Sequence, residues 1–281
     1  MQPLFEHRLE FAGFDTRVLE LEGDRPGLVL LHGWGDSADT WRPLLAELGA
    51  RDRRAIAVDL PGFGTASRLG SDAILPQLDA FAAEVVREIG EDVVVVGNSL
   101  GGVTALRLAE RDDMPLAGVV PVAPAGLQMP RWFDVIERDP LTRRLLGLPL
   151  PIAPPVLRAT VGEIYRQLVF ARPRSAEAAV VAAFANHHAS RERVAALLAS
   201  GRRLLPELQT SPFRFELVRC PVLLIWGTRD RMVPQGGAQI LLEALPDTHL
   251  ELLEGVGHCP QLEATGRLLE LLLPFPAAVR A

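Results

Sequence analysis

Short, nearly unbroken apolar runs at residues 28–31, 55–58, 93–96, 117–122, 222–226 and 249–253 alternate with segments of helical periodicity. Those segments lie at 41–48, 76–89, 100–111, 235–245 and 263–273. A strand without polar alternation suits burial on both faces, which is the condition inside a parallel sheet covered by helices. Parallel neighbours need a long crossover, and a helix supplies it. Two further strand patterns, at 4–11 and 16–21 around a turn at Gly13, open the chain. The pattern predicts an α/β fold with a mostly parallel eight-stranded sheet flanked by helices.

The alternation lapses over 128–211, between the sixth and seventh strands. That stretch keeps helical periodicity, is rich in arginine and alanine, and is punctuated by Pro149, Pro151, Pro154 and Pro155. It reads as a helical cap, or lid, inserted into a core made of 1–127 and 212–281. From 128 to 209 the chain holds twelve arginines against seven acidic residues, a local balance of +5. The net charge is −6, so the remainder carries −11.

Composition removes several function classes. The acidic balance argues against nonspecific nucleic-acid binding. No run approaches the about 18 apolar residues of a membrane span. The first residues lack the basic start and apolar stretch of a signal peptide, so a cytoplasmic protein, monomer or homodimer, is expected. All 29 basic residues are arginine, which excludes Schiff-base chemistry on lysine. Neither Cys220 nor Cys259 belongs to a metal-binding pair, and no His-Glu-x-x-His occurs, so no metal is expected. Asp59, in Asp59-Leu60-Pro61-Gly62-Phe63-Gly64, could pass for a ribose ligand, but no Gly-x-Gly-x-x-Gly follows the first buried strand and no P-loop is present. No cofactor is expected.

The chemistry concentrates in four loops. Gly97-Asn98-Ser99-Leu100-Gly101 sits between a strand and a helix, where a sharp turn with small neighbours lifts a serine hydroxyl to the positive end of the helix. Ser99 is the expected nucleophile. Its base is expected to be His258, in Gly255-Val256-Gly257-His258-Cys259-Pro260 after the last strand. Asp230, just after the strand at 222–226, is expected to fix the histidine tautomer. His7 and His249 fall in strand patterns, and the doubled His187-His188 reads as a solvated helix face. An acyl-transfer oxyanion needs two preset amide donors, assigned to Leu100 and, in His32-Gly33-Trp34-Gly35, to Trp34. The Trp34 ring is expected to wall the acyl pocket, and His32 to anchor its loop by hydrogen bonding.

Taken in order, the H-G-W-G, D-L-P-G-F-G, G-N-S-L-G-G, G-x-x-D-x-x-V-P and G-H-C-P-Q-L-E segments resemble those of the α/β-hydrolase superfamily, across both halves of the core. His32-Gly33-Trp34-Gly35, residues 58–64 and Ser99-Leu100-Gly101-Gly102 are most similar to the pimeloyl-[acyl-carrier protein] methyl ester esterases. That resemblance implies a cofactor-free serine esterase and a carrier-linked ester, with an acidic carrier bound by a basic cap. Arginines on an exposed insertion of a lysine-free chain would also serve solvation alone.

The expected function is a serine hydrolase (carboxylesterase) acting on a small to medium acyl ester through an acyl-enzyme on Ser99, with Phe170 and Phe184 contributing to an apolar pocket. Carbon–carbon hydrolysis of ring-cleavage products, acyl transfer or perhydrolysis, and ligand sensing without turnover stay open. Against the first of these, Gly33-Trp34-Gly35-Asp36 lacks a Gly-Pro-Gly with asparagine, and Cys259 stands where a tryptophan would follow the histidine.

Overall fold

The computed structural model describes residues 2–128, 153–210 and 213–275. An eight-stranded sheet runs in the order β1-β2-β4-β3-β5-β6-β7-β8. Its strands are β1 (Phe5–Phe11), β2 (Phe14–Leu21), β3 (Asp24–Leu31), β4 (Arg53–Val58), β5 (Val93–Asn98), β6 (Leu116–Val122), β7 (Leu223–Gly227) and β8 (His249–Leu253). β2 pairs antiparallel with β1 and β4, and the remaining pairings are parallel.

Alternation within each apolar run divides the sheet's contacts between two cores. Val29, Leu31, Val93, Val95, Leu224 and Trp226 face one cluster, which holds α2 (Ile74–Ile89) and α3 (Leu100–Ala109). Leu28, Leu30, Val94, Val96, Leu223 and Ile225 face the other, with α1 (Arg42–Gly49). Two-sided burial is why these strands show no polar positions.

Between β6 and β7 stand α4 (Pro154–Val169), α5 (Ala178–His187) and α6 (Arg191–Gln209). The earlier part of the expected cap, including Pro149 and Pro151, lies outside the described residues, as does the boundary at 211–212. α6 is seated on the core through Glu207, whose carboxylate accepts from the Ile74 and Leu75 amides at 2.7 and 2.9 Å. It thereby supplies acceptors and negative charge to the first turn of α2.

The chain continues through α7 (Gly237–Ala244). The helix expected at 263–273 is two pieces, α8 (Pro260–Glu263) and α9 (Thr265–Leu272). Ala264 between them leaves helical geometry at φ −143°, ψ 42°. No helix among the described residues is long and apolar enough to cross a membrane.

Candidate active site

In a parallel sheet the loops after the carboxyl ends of the strands share one edge. β3, β5, β7 and β8 end there at Leu31, Asn98, Gly227 and Leu253, just before the segments holding Trp34, Ser99, Asp230 and His258.

Ser99 occupies φ 54°, ψ −110°, a conformation costly for a residue with a Cβ. The turn is so tight that a Cβ on Gly97 would fall 2.0 Å from the Gly101 carbonyl oxygen, so position 97 admits no side chain. Leu100 opens α3, which leaves its N–H without an intrahelical acceptor.

His258 is buried, and its Nδ1 lies 2.7 Å from Asp230 Oδ2, also fully buried. The carboxylate accepts, so Nδ1 carries the proton and Nε2 is left as the acceptor. Asp230 Oδ1 is occupied separately, accepting from the Met232 and Val233 amides at 2.7 and 3.0 Å. Backbone bonds join the two loops, from Thr228 N to Leu253 O at 3.0 Å and from Arg229 N to Val256 O at 2.9 Å.

The loop after β3 lies against the serine, since a Cβ on Gly33 would sit 3.3 Å from Ser99 Cβ. His32 holds it as the sequence leads one to expect. Nδ1 donates to the Gly33 carbonyl at 2.7 Å, and Nε2 accepts from the Leu60 amide at 2.8 Å. Complete burial lowers its pKa to about 4, keeping it neutral in that tautomer. Asp59 is a brace in the same region, with its buried carboxylate accepting from Ala38 N, Arg17 and Thr65. The five expected site residues therefore meet at one edge. Among the described residues, no group of three or more His, Cys, Asp or Glu is placed to hold a metal ion.

One expectation needs correction. His187 and His188 are not a solvated face. His188 is 7% exposed and binds the Gly35 carbonyl through Nε2 at 2.7 Å, while His187 lies 3.5 Å from Asp39. Both ends of the pair are drawn to the core because β3's loop offers a carbonyl and a carboxylate there. The Trp34 ring meets α6 directly, with Nε1 donating to Ser200 Oγ at 3.0 Å.

Three further residues shape the site without having been given a role from the sequence, although Asn98 and Glu263 stand inside the quoted motifs. Asn98 Nδ2 donates to His258 O at 2.9 Å, and its Oδ1 accepts from Cys259 Sγ at 3.3 Å. Burial pushes the Cys259 thiol well above its ordinary range, so it remains a protonated donor. Glu263 accepts from the Gly257 amide and, in the segment just after α4, from Ala171 N at 2.8 Å. Tyr165 stacks on Phe184 at 3.9 Å and meets Phe170 edge-on, with Val181 and Cys259 completing an apolar cluster.

A model of the alpha/beta hydrolase family matches residues 28–271. The chain is 32% identical over 262 residues to a pimeloyl-[acyl-carrier protein] methyl ester esterase of Aromatoleum aromaticum, covering 85% of this chain and 93% of that one. It is 33% identical over 250 residues to the enzyme of the same name from Nitrosomonas europaea, covering 87% and 93%. Among solved structures it is similar to 2-hydroxy-6-oxo-6-phenylhexa-2,4-dienoate hydrolase from Rhodococcus sp. strain RHA1, with a TM-score of 0.76 and 21% identity across 100% of each chain. That last likeness is one of fold.

Proposed function

The chain belongs to the alpha/beta hydrolase family as a carboxylic ester hydrolase, and from that premise we propose a serine mechanism centred on Ser99. The observation that carries it is the 2.7 Å contact of His258 Nδ1 with Asp230 Oδ2. It leaves Nε2 free to take a proton, on the same edge of the sheet as a serine in the strained turn between β5 and α3.

Ser99 Oγ attacks the ester carbonyl carbon while its proton passes to His258 Nε2. The carbonyl π pair moves to oxygen, which the Trp34 and Leu100 amides receive. Collapse breaks the bond to the alkoxy oxygen, and the imidazolium returns the proton to the departing alcohol. Water then attacks the acyl-enzyme by the same route, releasing the acid and restoring Ser99. Asp230 remains ionised throughout.

The substrate in this reading is a small to medium acyl ester, its chain received by the cluster of Tyr165, Phe170 and Phe184. The similar enzymes are named for a methyl ester on an acyl carrier protein. A carrier-linked ester is the finer proposal, supported by the cap's excess of arginine over acidic residues. The test is hydrolysis of p-nitrophenyl esters from acetyl to palmitoyl, followed by methyl esters of dicarboxylic acids, free and carrier-bound. Turnover is expected to peak at short or medium chains and to fall by at least about 10³-fold in Ser99→Ala. Residual activity within tenfold of wild type would remove Ser99 from the mechanism.

A further inference from the structure

Loops that present an oxyanion donor must hold one amide in one direction, and a short turn does not do this alone. Residues 33–36 form such a turn, closed by Asp36 N donating to Gly33 O at 3.2 Å. Its third residue, Gly35, has φ +78°, the left-handed value that the third position of a type II turn requires. Trp34 is the second residue, so the direction of its N–H depends on how the whole turn is tilted over Ser99. The Gly35 carbonyl leads out of the turn and is the handle on that tilt.

The handle is held from outside the core. His188, the residue that caps the end of α5, places Nε2 2.7 Å from the Gly35 oxygen. A carbonyl cannot donate, so Nε2 bears the hydrogen and Nδ1 is bare. Nδ1 is itself buried and has no hydrogen-bond partner among the described residues. The ring is gripped by Phe184 at 4.8 Å, and Phe184 is in turn stacked on Tyr165. Burial lowers the His188 pKa, in keeping with a neutral ring of one fixed tautomer. A hydrogen bond made through such a ring is stiff, because neither rotation nor protonation is open to it without burying an uncompensated charge or losing packing.

We propose that His188 is a positioning residue for the oxyanion loop, its Nε2–H fixing the Gly35 carbonyl and thereby aiming the Trp34 amide at the developing oxyanion. The cap is then part of the catalytic architecture as well as a wall for the acyl chain. A second contact gives it the same character on the histidine side, where the Val169 carbonyl at the end of α4 accepts from His258 N at 2.8 Å. This role for His188 rests on the reading of Ser99 as an esterase nucleophile with Trp34 as a donor.

The test compares wild type with His188→Ala, His188→Gln, His188→Asn and Ser99→Ala. The readouts are kcat and KM on p-nitrophenyl butyrate, thermal melting, and affinity for an alkyl trifluoromethyl ketone, whose hydrate-like serine adduct carries the oxyanion. His188→Ala should lower kcat by about 10- to 100-fold, the scale of a donor displaced but not deleted, with KM within about threefold. Trifluoromethyl ketone affinity should fall in parallel with kcat. Gln reaches as far as Nε2 and should recover most of the loss, whereas the shorter Asn should not. If His188→Ala fails to fold, the Gln and Asn pair carries the same comparison. A lowered melting temperature with kcat and ketone affinity unchanged, or equal defects in Gln and Asn, would overturn the positioning role alone. Wild-type turnover equal to that of Ser99→Ala would overturn the esterase reading, and this role with it.

Discussion

The Asn98 side chain donates from Nδ2 to the carbonyl oxygen of His258 at 2.9 Å, so the residue beside the serine holds the residue that carries the imidazole. Its Oδ1 accepts from Cys259 Sγ and from Gln261 Nε2, both at 3.3 Å, and Gln261 reaches on to Thr40 Oγ1 at 3.2 Å. All four side chains are buried, so water cannot replace a lost partner. Asn98→Ala orphans the His258 carbonyl and two donors, at about 1–3 kcal/mol for each group left unsatisfied. After partial relaxation, an overall loss of about 2–4 kcal/mol in urea denaturation is expected. The fall in kcat should be about tenfold or more, because the histidine loop is released. Asn98→Asp keeps the acceptor but sets a carboxylate oxygen against the His258 carbonyl, and should be worse for kcat than alanine. Stability and kcat both near wild type in Asn98→Ala would show the network to be idle.

Asp230 divides its two oxygens between backbone and imidazole, which lets structure and tautomer be separated experimentally. In Asp230→Asn the retained Oδ1 can still accept from Met232 N and Val233 N. The new amide N–H₂ faces His258 Nδ1 and can only donate to it. The imidazole must then carry its hydrogen on Nε2, where it cannot take the serine proton. A loss of about 10³- to 10⁴-fold in kcat with melting close to wild type is the expected outcome, measured at pH 7–8. A loss below tenfold would show that another group orients the base.

The fold was legible because its signals are local. Four consecutive valines leading into a glycine-flanked serine specify a strand, a tight turn and a helix with little help from elsewhere. Equally, Asp230 and His258 each follow a strand, so their edge of the sheet could be read once the strands were placed. What escaped depends on contacts distant in sequence. Nothing near His188 signals that the Gly35 carbonyl, 153 residues away, will need a donor. Periodicity alone made the histidine pair look like an exposed face. Glu263 resembles an ordinary helix-end acid until Gly257 and Ala171 are brought to it. The break at Ala264 stands beside two poor helix formers, Thr265 and Gly266, but the apolar periodicity over 263–273 runs across it and hides that signal.

The backbone at Ser99 stores energy that a glycine would release. A Cβ at φ 54°, ψ −110° costs about 1–3 kcal/mol, offset in part by the greater unfolded-state freedom of glycine at about 0.5–1 kcal/mol. Ser99→Gly and Ser99→Ala should both be inactive, yet the glycine variant should be more stable than the alanine variant by about 1 kcal/mol. Paired thermal or urea melts measure the difference directly. Equal stability, or a more stable alanine variant, would show that the turn is not strained by its side chain.

Asp36 closes the turn at residues 33–36 and couples this region to pH. Its carboxyl is buried, with Oδ1 accepting from Ser37 N at 2.9 Å, and desolvation raises its pKa to about 6 from an ordinary 3.8. Because the native state holds the proton more tightly than the unfolded state, this group's contribution to stability is complete below about pH 4 and is lost as pH rises through about 6. The full difference is at most about 3 kcal/mol, of which about 1 kcal/mol should be lost between pH 5 and pH 8. Asp36→Asn keeps an acceptor for Ser37 and cannot ionise, so its stability relative to wild type should rise across that interval. Urea denaturation of both proteins at pH 5, 6, 7 and 8 reads the change. A constant difference across the series would mean that Asp36 is already ionised in the folded protein throughout this range, its carboxylate held charged by the neighbouring amides against the burial that surrounds it.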